Sequence, residues 1–446
     1  MSPDIEPLQD EQQIRKTYNR ARWSIFISST VGYGLYYVCR LSLNVVKKPI
    51  VNEGVLTESQ LGMIGSALFI TYALGKLANG FLADRSNIRR FLSIGLLLSA
   101  VINLLLGLTN TFVVFLVLWA LNGWVQSIGA APCVVGLSRW FSNKERGTFY
   151  GLWSSSHNIG EALTFIVTAM VVASWGWQWG FHVAGLIGIA GVVMTMLMMR
   201  DTPGSMGLPP INEYKGDDTV EKAKDDDTHP ISYYQKQLLR NPAIWLLALS
   251  SAFMYISRYA VNSWGIFYLE AEKGYSIIEA SSIISISSVC GIVGTALCGW
   301  FSDKFFAGKR NMPAFIFGVM NVAALALFLF GPRDAYWVDV TSMVLFGLAI
   351  GTLICYLGGL MAVDIASKKA SGAALGIIGI ASYLGAAIQD MVSGFTIESN
   401  KTMVDGVAHY DFSTVSWFWL IAAILSVILA LGVWVLSKRK EAALVE

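Results

Sequence analysis

The sequence predicts an all-α membrane protein of twelve transmembrane helices arranged as two six-helix halves. Three observations carry that expectation. Charged residues make up only 14% of the 446 positions and hydrophobic ones 54%, whereas soluble domains carry charge at about a quarter of positions. The apolar residues fall into twelve blocks, each close to the ~20 residues that a helix needs to cross the hydrocarbon core. A short pattern of glycine, aspartate and basic residues then recurs in the same order in both halves of the chain.

Residues 1–22 are polar and lack the apolar core and cleavage site of a secretory leader, so the first apolar block should remain in the protein. Blocks near 23–46, 60–82, 91–109, 112–137, 148–171 and 178–199 build the first half, 23–199. Residues 200–241 should be a linker. Within it GDDTVEKAKDDDTHP, at 216–230, has almost nothing to bury and should be solvated. Blocks near 242–269, 278–300, 311–331, 337–363, 371–397 and 413–437 build the second half, 242–437, and leave 438–446 as a tail. Most of the 32 Lys and Arg lie in the two termini and in the loops after spans two, four, six, eight and ten. The positive-inside rule therefore places both termini and the linker in the cytoplasm.

Several functions are excluded by composition. A net charge of +2 provides no basic field for neutralising a phosphate backbone, so no nucleic-acid partner is expected. The five cysteines lie inside apolar blocks with neither metal-ligand spacing nor the loop positions at which disulfides staple small folds. No nucleophile elbow, Walker loop or metal-ligand cluster is present, so the chain should not be an enzyme and no cofactor or metal is implied.

The repeat supports a duplicated architecture. Gly80-Phe-Leu-Ala-Asp84-Arg85 follows span two, with Arg89 and Arg90 next; Gly299-Trp-Phe-Ser-Asp303-Lys304 follows span eight, with Lys309 and Arg310 next. Arg40 in span one is matched by Arg258 in span seven, and Gly147-x-x-x-Gly151 by Gly372-x-x-x-Gly376. Two parallel six-span halves joined by a linker are the plan of transporters whose site lies between the halves near the bilayer midplane.

Arg40 follows Tyr33 and Tyr37 at i+7 and i+4, so the three share a helix face. A guanidinium at a helix centre costs about 2.5–3.5 kcal/mol even on the permissive insertion scale, and Arg40 is too deep in its block to be an end anchor. Arg258 sits equally deep, with Tyr255 and Asn262 on its face. An arginine pair presents planar forks that match phosphate or carboxylate oxygens and keep their charge at any physiological pH. The expected ligand is therefore an anion. Tyr72 and Lys76 stand one turn apart in span two, and His157 and Glu161 one turn apart in span five. Glu161 and Asp390 are the two acids within spans that matter for charge balance. At least one should face the cavity and either pair with Lys76 or take up a proton when a dianion binds.

GYGLYYVCR (32–40), LGMIGSALFITYALGKLANGFLADRSN (61–87), RWFSNKERGTFYGLWSSSHNIG (139–160), RDTPGSMGLPPINEYK (200–215), NPAIWLL (241–247) and GTALCGWFSDKFFAGKR (294–310) resemble the organophosphate:phosphate antiporters of the major facilitator superfamily. The resemblance implies exchange of an organophosphate, glycerol 3-phosphate first and hexose 6-phosphate next, for inorganic phosphate across the bacterial inner membrane. It also implies a monomer. Carried over by position, Arg40 and Arg258 match the phosphate-binding arginines, Lys76 and His157 match cavity cations, and Tyr33, Tyr37, Tyr72, Tyr255 and Tyr383 match cavity tyrosines. The chain departs from the family pattern at Glu161, Ser263, Ser287, Gly351-Thr352-Leu353 and Gln389-Asp390. These changes fall on the part of the cavity that reads the organic group. Two other readings use the same arginines: a transporter-like membrane receptor that senses a sugar phosphate, and a carboxylate:cation symporter coupled through Glu161 or Asp390.

Overall fold

The computed structural model describes residues 8–216, 230–333, 335–367 and 370–443. Nearly all of the acidic stretch at 216–230 and the last residues of the tail lie outside these, as does the side chain of Asp84. Among the described residues eleven helices are long and apolar enough to cross a membrane. The other long helix, Glu11–Asn52, is less apolar because Arg40, Asn44, Lys47 and several serines are buried within the bundle. It begins well before the apolar block at 23, at N-cap Asp10, whose carboxylate accepts a hydrogen bond from the Gln12 amide. Counting it as span one, the bundle has the twelve spans of the sequence reading.

Local chemistry sets the helix starts. Glu58–Arg85 and Ile277–Phe306 open with reciprocal capping boxes, Thr57 with Gln60 and Ser276 with Glu279. Three spans are broken, which a reading by apolar length alone does not anticipate. Span four runs as Phe112–Gln126 and Ala130–Trp140, with Pro132 entering where its ring bars a regular turn behind it. Span five runs as Asn143–Ser154 and Ser156–Trp175. Span ten passes from Tyr336–Cys355 through the π-helical turn Tyr356–Leu360 into Met361–Ile365.

The halves meet chiefly where span two packs on span eleven, span five on span eight and span one on span seven. At the end away from the basic loops this contact is tight. A Cβ on Gly62 would lie 2.5 Å from the Asp390 carbonyl oxygen, and one on Gly394 2.5 Å from the Glu58 carbonyl oxygen. The hairpin of Lys401–Val404 and Val407–Tyr410 closes over this end. From it Lys401 and Tyr410 bind the buried Glu58 carboxylate at 2.9 and 2.7 Å. At the basic end, a Cβ on Gly80, Gly147, Gly151, Gly299, Gly372 or Gly376 would meet nothing within 4 Å. The bundle is thus sealed at one end and open at the end that carries the basic loops.

Candidate functional site

Arg40 is 3% exposed. Its guanidinium lies 4.3 Å from the Tyr72 ring, with the rings of Tyr37, Phe69 and Tyr383 at 5.6, 5.8 and 5.7 Å. It donates to the Tyr259 hydroxyl at 3.2 Å. Among the described residues no carboxylate lies within ion-pair distance of it. Its charge is held by aromatic faces and one hydroxyl, an arrangement that leaves a guanidinium able to take an anion.

Arg258 is placed differently. Glu161 comes within 3.8 Å of it and accepts a hydrogen bond from Ser288 at 2.6 Å. The Tyr259 ring stands 5.3 Å from the Arg258 guanidinium. Tyr259 therefore touches both cations, its hydroxyl reaching the arginine of one half while its own helix carries the arginine of the other. Sequence reasoning missed it. Tyr259 stands at i+4 from Tyr255, about 40° around the helix from it and 5.9 Å away ring to ring, so its face was legible, but only the packing of span one on span seven brings its hydroxyl to Arg40.

The remaining aromatic residues link the two cations. Tyr383 lies 4.6 Å from Tyr72 and 5.5 Å from Tyr255, ring centre to ring centre. Tyr37 stands 5.5 Å from Tyr33 and 5.6 Å from His157. His157 is half-buried, and its Nδ1–H donates to the Ser154 carbonyl, which leaves Nε2 as the ring atom available to a ligand. Lys76 is exposed, with its ammonium 5.7 Å from the Tyr383 ring. Asn262 is buried beside Arg258; its carbonyl oxygen accepts from Asn44 at 3.1 Å while its side-chain Oδ1 has no partner. The residues expected to bind substrate thus gather around the two arginines between the halves, whereas Asp390 sits with Ser263 in the seal beneath them.

Residues 29–389 match the Major Facilitator Superfamily. The chain belongs to that superfamily. Over 98% of its length it is 32% identical to a probable hexose phosphate transport protein of Chlamydia trachomatis, covering 96% of that protein. It is 34% identical to the membrane sensor protein UhpC of Salmonella typhimurium, over 85% of this chain and 86% of that one. Identity to the glycerol-3-phosphate transporter of Haemophilus influenzae is also 34%, over 87% of each chain. In fold it is similar to a bacterial homolog of the human lysosomal transporter Spinster in an inward-facing, unoccupied conformation, with a TM-score of 0.74 at 18% identity, covering 94% of this chain and 97% of that one.

In this major facilitator protein the pairing with Lys76, one of the two outcomes expected for the acids, is not seen. Neither takes Lys76. Glu161 is held by Arg258 and Ser288. The Asp390 carboxylate accepts from Ser263 at 2.6 Å and Trp264 at 2.7 Å, and lies 3.5 Å from the Lys47 ammonium. Lys47, which sequence reasoning placed beyond the end of span one, is fully buried, donates to Ser263 at 2.8 Å and lies 3.9 Å from the Trp264 ring. The reason is that the helix does not stop at Val46 but continues to Asn52, carrying Lys47 into the other half. A signal was present: Lys47 follows Arg40 at i+7, on the same face, and a buried Asp390 requires a cation.

Proposed function

We propose that this chain is a secondary transporter that exchanges an organophosphate, of the glycerol 3-phosphate or hexose 6-phosphate class, for inorganic phosphate by alternating access. The observation that carries the reading is the pair of buried arginines, one from each half, joined through Tyr259 and reached from the open end. A phosphoryl group bound by both guanidiniums draws two cationic halves together and so lowers the cost of closing the open end. The units that rock are 23–199 and 242–437. With the basic loops cytoplasmic, as expected in a bacterial inner membrane, the open end faces inward. The working unit is a monomer, since each chain supplies both arginines. The names of the relatives, a hexose phosphate transport protein and a glycerol-3-phosphate transporter, support a phosphorylated substrate.

The test is exchange in proteoliposomes loaded with labelled phosphate. Efflux should be slow into substrate-free buffer and rise on external addition of phosphate, glycerol 3-phosphate or glucose 6-phosphate. Equal efflux into empty buffer would overturn antiport. The similarity to a membrane sensor protein favours a second reading, a receptor built on the same site. Binding of an organophosphate without exchange of any would select it.

A further inference from the structure

Beside Arg258 lies a pocket lined by Asn158, Glu161, Asn262, Ser287 and Ser288. Two of its side chains each carry an unsatisfied atom. Asn158 and Asn262 are both 6% exposed, yet Asn158 Nδ2 and Asn262 Oδ1 have no hydrogen-bond partner. Such atoms are costly in a buried setting, and each calls for an explanation. Gly291 lines the same pocket, and a Cβ there would come within 3.2 Å of the Asn158 amide oxygen, so the Asn158 side-chain amide forms part of the pocket wall. One orphan is a donor and the other an acceptor. Glu161, already bonded by Ser288 and near Arg258, adds a second acceptor.

We infer that this pocket is a hydroxyl-reading subsite, which takes one hydroxyl of a phosphate ester whose phosphoryl group lies between Arg40 and Arg258. A hydroxyl both donates and accepts, so it satisfies Asn262 Oδ1 and Asn158 Nδ2 together. An ammonium would leave Nδ2 unpaired and meet the Arg258 charge. An alkyl group would leave both orphans unpaired. The subsite deepens the organophosphate reading and rests on it.

The experiment measures displacement of labelled inorganic phosphate from the purified full-length chain by matched esters. Glycerol 3-phosphate is compared with propyl phosphate, and glucose 6-phosphate with tetrahydropyran-2-ylmethyl phosphate; within each pair the skeleton is kept and the hydroxyls are removed. In at least one pair the hydroxylated ester should displace phosphate at a concentration about tenfold lower or better. In Asn158→Ala and Asn262→Ala that ratio should shrink toward one; as a ratio within a single preparation, it is independent of how much protein folds. Equal potency within both pairs, with phosphate still bound, would overturn the subsite alone, as would a ratio unchanged in both variants. Failure of the parent chain to bind phosphate would overturn the organophosphate reading and the subsite with it.

Discussion

Among the described residues, Lys47–Asp390 and Glu161–Arg258 are acid–cation pairs that cross between the halves deep in the bundle, and they differ in how fully they are satisfied. Lys47 and Asp390 are surrounded: Ser263 bonds both, Trp264 donates to the carboxylate, and the same indole face covers the ammonium. Glu161 and Arg258 are 3.8 Å apart, only the carboxylate has a serine bonded to it, and both border a pocket with orphaned amide atoms. A saturated pair in a closed contact has nothing left to offer a ligand and acts as a latch. A loosely held pair at an open chamber can exchange its partner for substrate oxygens. On this reading the two acids would serve different ends, Asp390 in holding the halves together and Glu161 in the proposed site.

The largest effect should come from the arginines. Arg40→Lys and Arg258→Lys replace a planar fork by a point charge, and each should reduce phosphate exchange about a hundredfold or more. The chain should still be recovered folded from the membrane. Normal exchange by either variant would remove that cation from the site.

Breaking the latch is the next test. Lys47→Met or Asp390→Asn leaves a buried group without its partner, which costs about 3–5 kcal/mol in comparable pairs. The single variants should unfold at lower temperature in detergent, and cysteine probes at the sealed end should label faster. The double variant should recover most of the loss, because no uncompensated charge remains. If the single variants melt with the parent, Lys47–Asp390 is not a latch.

The smallest effect is expected at Glu161. A carboxylate beside Arg258 competes with the incoming anion, so Glu161→Gln should tighten phosphate binding by a few-fold. Phosphate affinity and ester selectivity that match the parent would leave Glu161 as a packing residue.

The spans were legible because ~20 consecutive apolar residues have no alternative but lipid or a buried core. Arg40 and Arg258 were legible for the opposite reason, since a guanidinium at that depth is too expensive to be incidental. The helical extension through 11–22 was not legible, as its residues are polar and carry no membrane signal. The breaks in spans four, five and ten fall at short polar or glycine interruptions, Gln126-Ser127 ahead of Pro132, Ser154-Ser155-Ser156 and Gly358-Gly359, which a reading by apolar length passes over. Tyr259 and Lys47 were missed because each does its work on a helix of the opposite half.

Sequence by itself determined the membrane class, the duplicated halves and the presence of one deep arginine in each. Those properties follow from hydrophobicity and spacing along one chain, which every fold of the chain must respect. Only the tertiary structure decided which acid holds which cation, that Tyr259 joins the two arginines, and which end of the bundle is shut. Ion pairs and hydrogen bonds act over a few ångströms, and the partners here come from spans far apart in sequence. The same acids and cations could have been matched several ways, and the packing of span one on span seven, span two on span eleven and span five on span eight selected one.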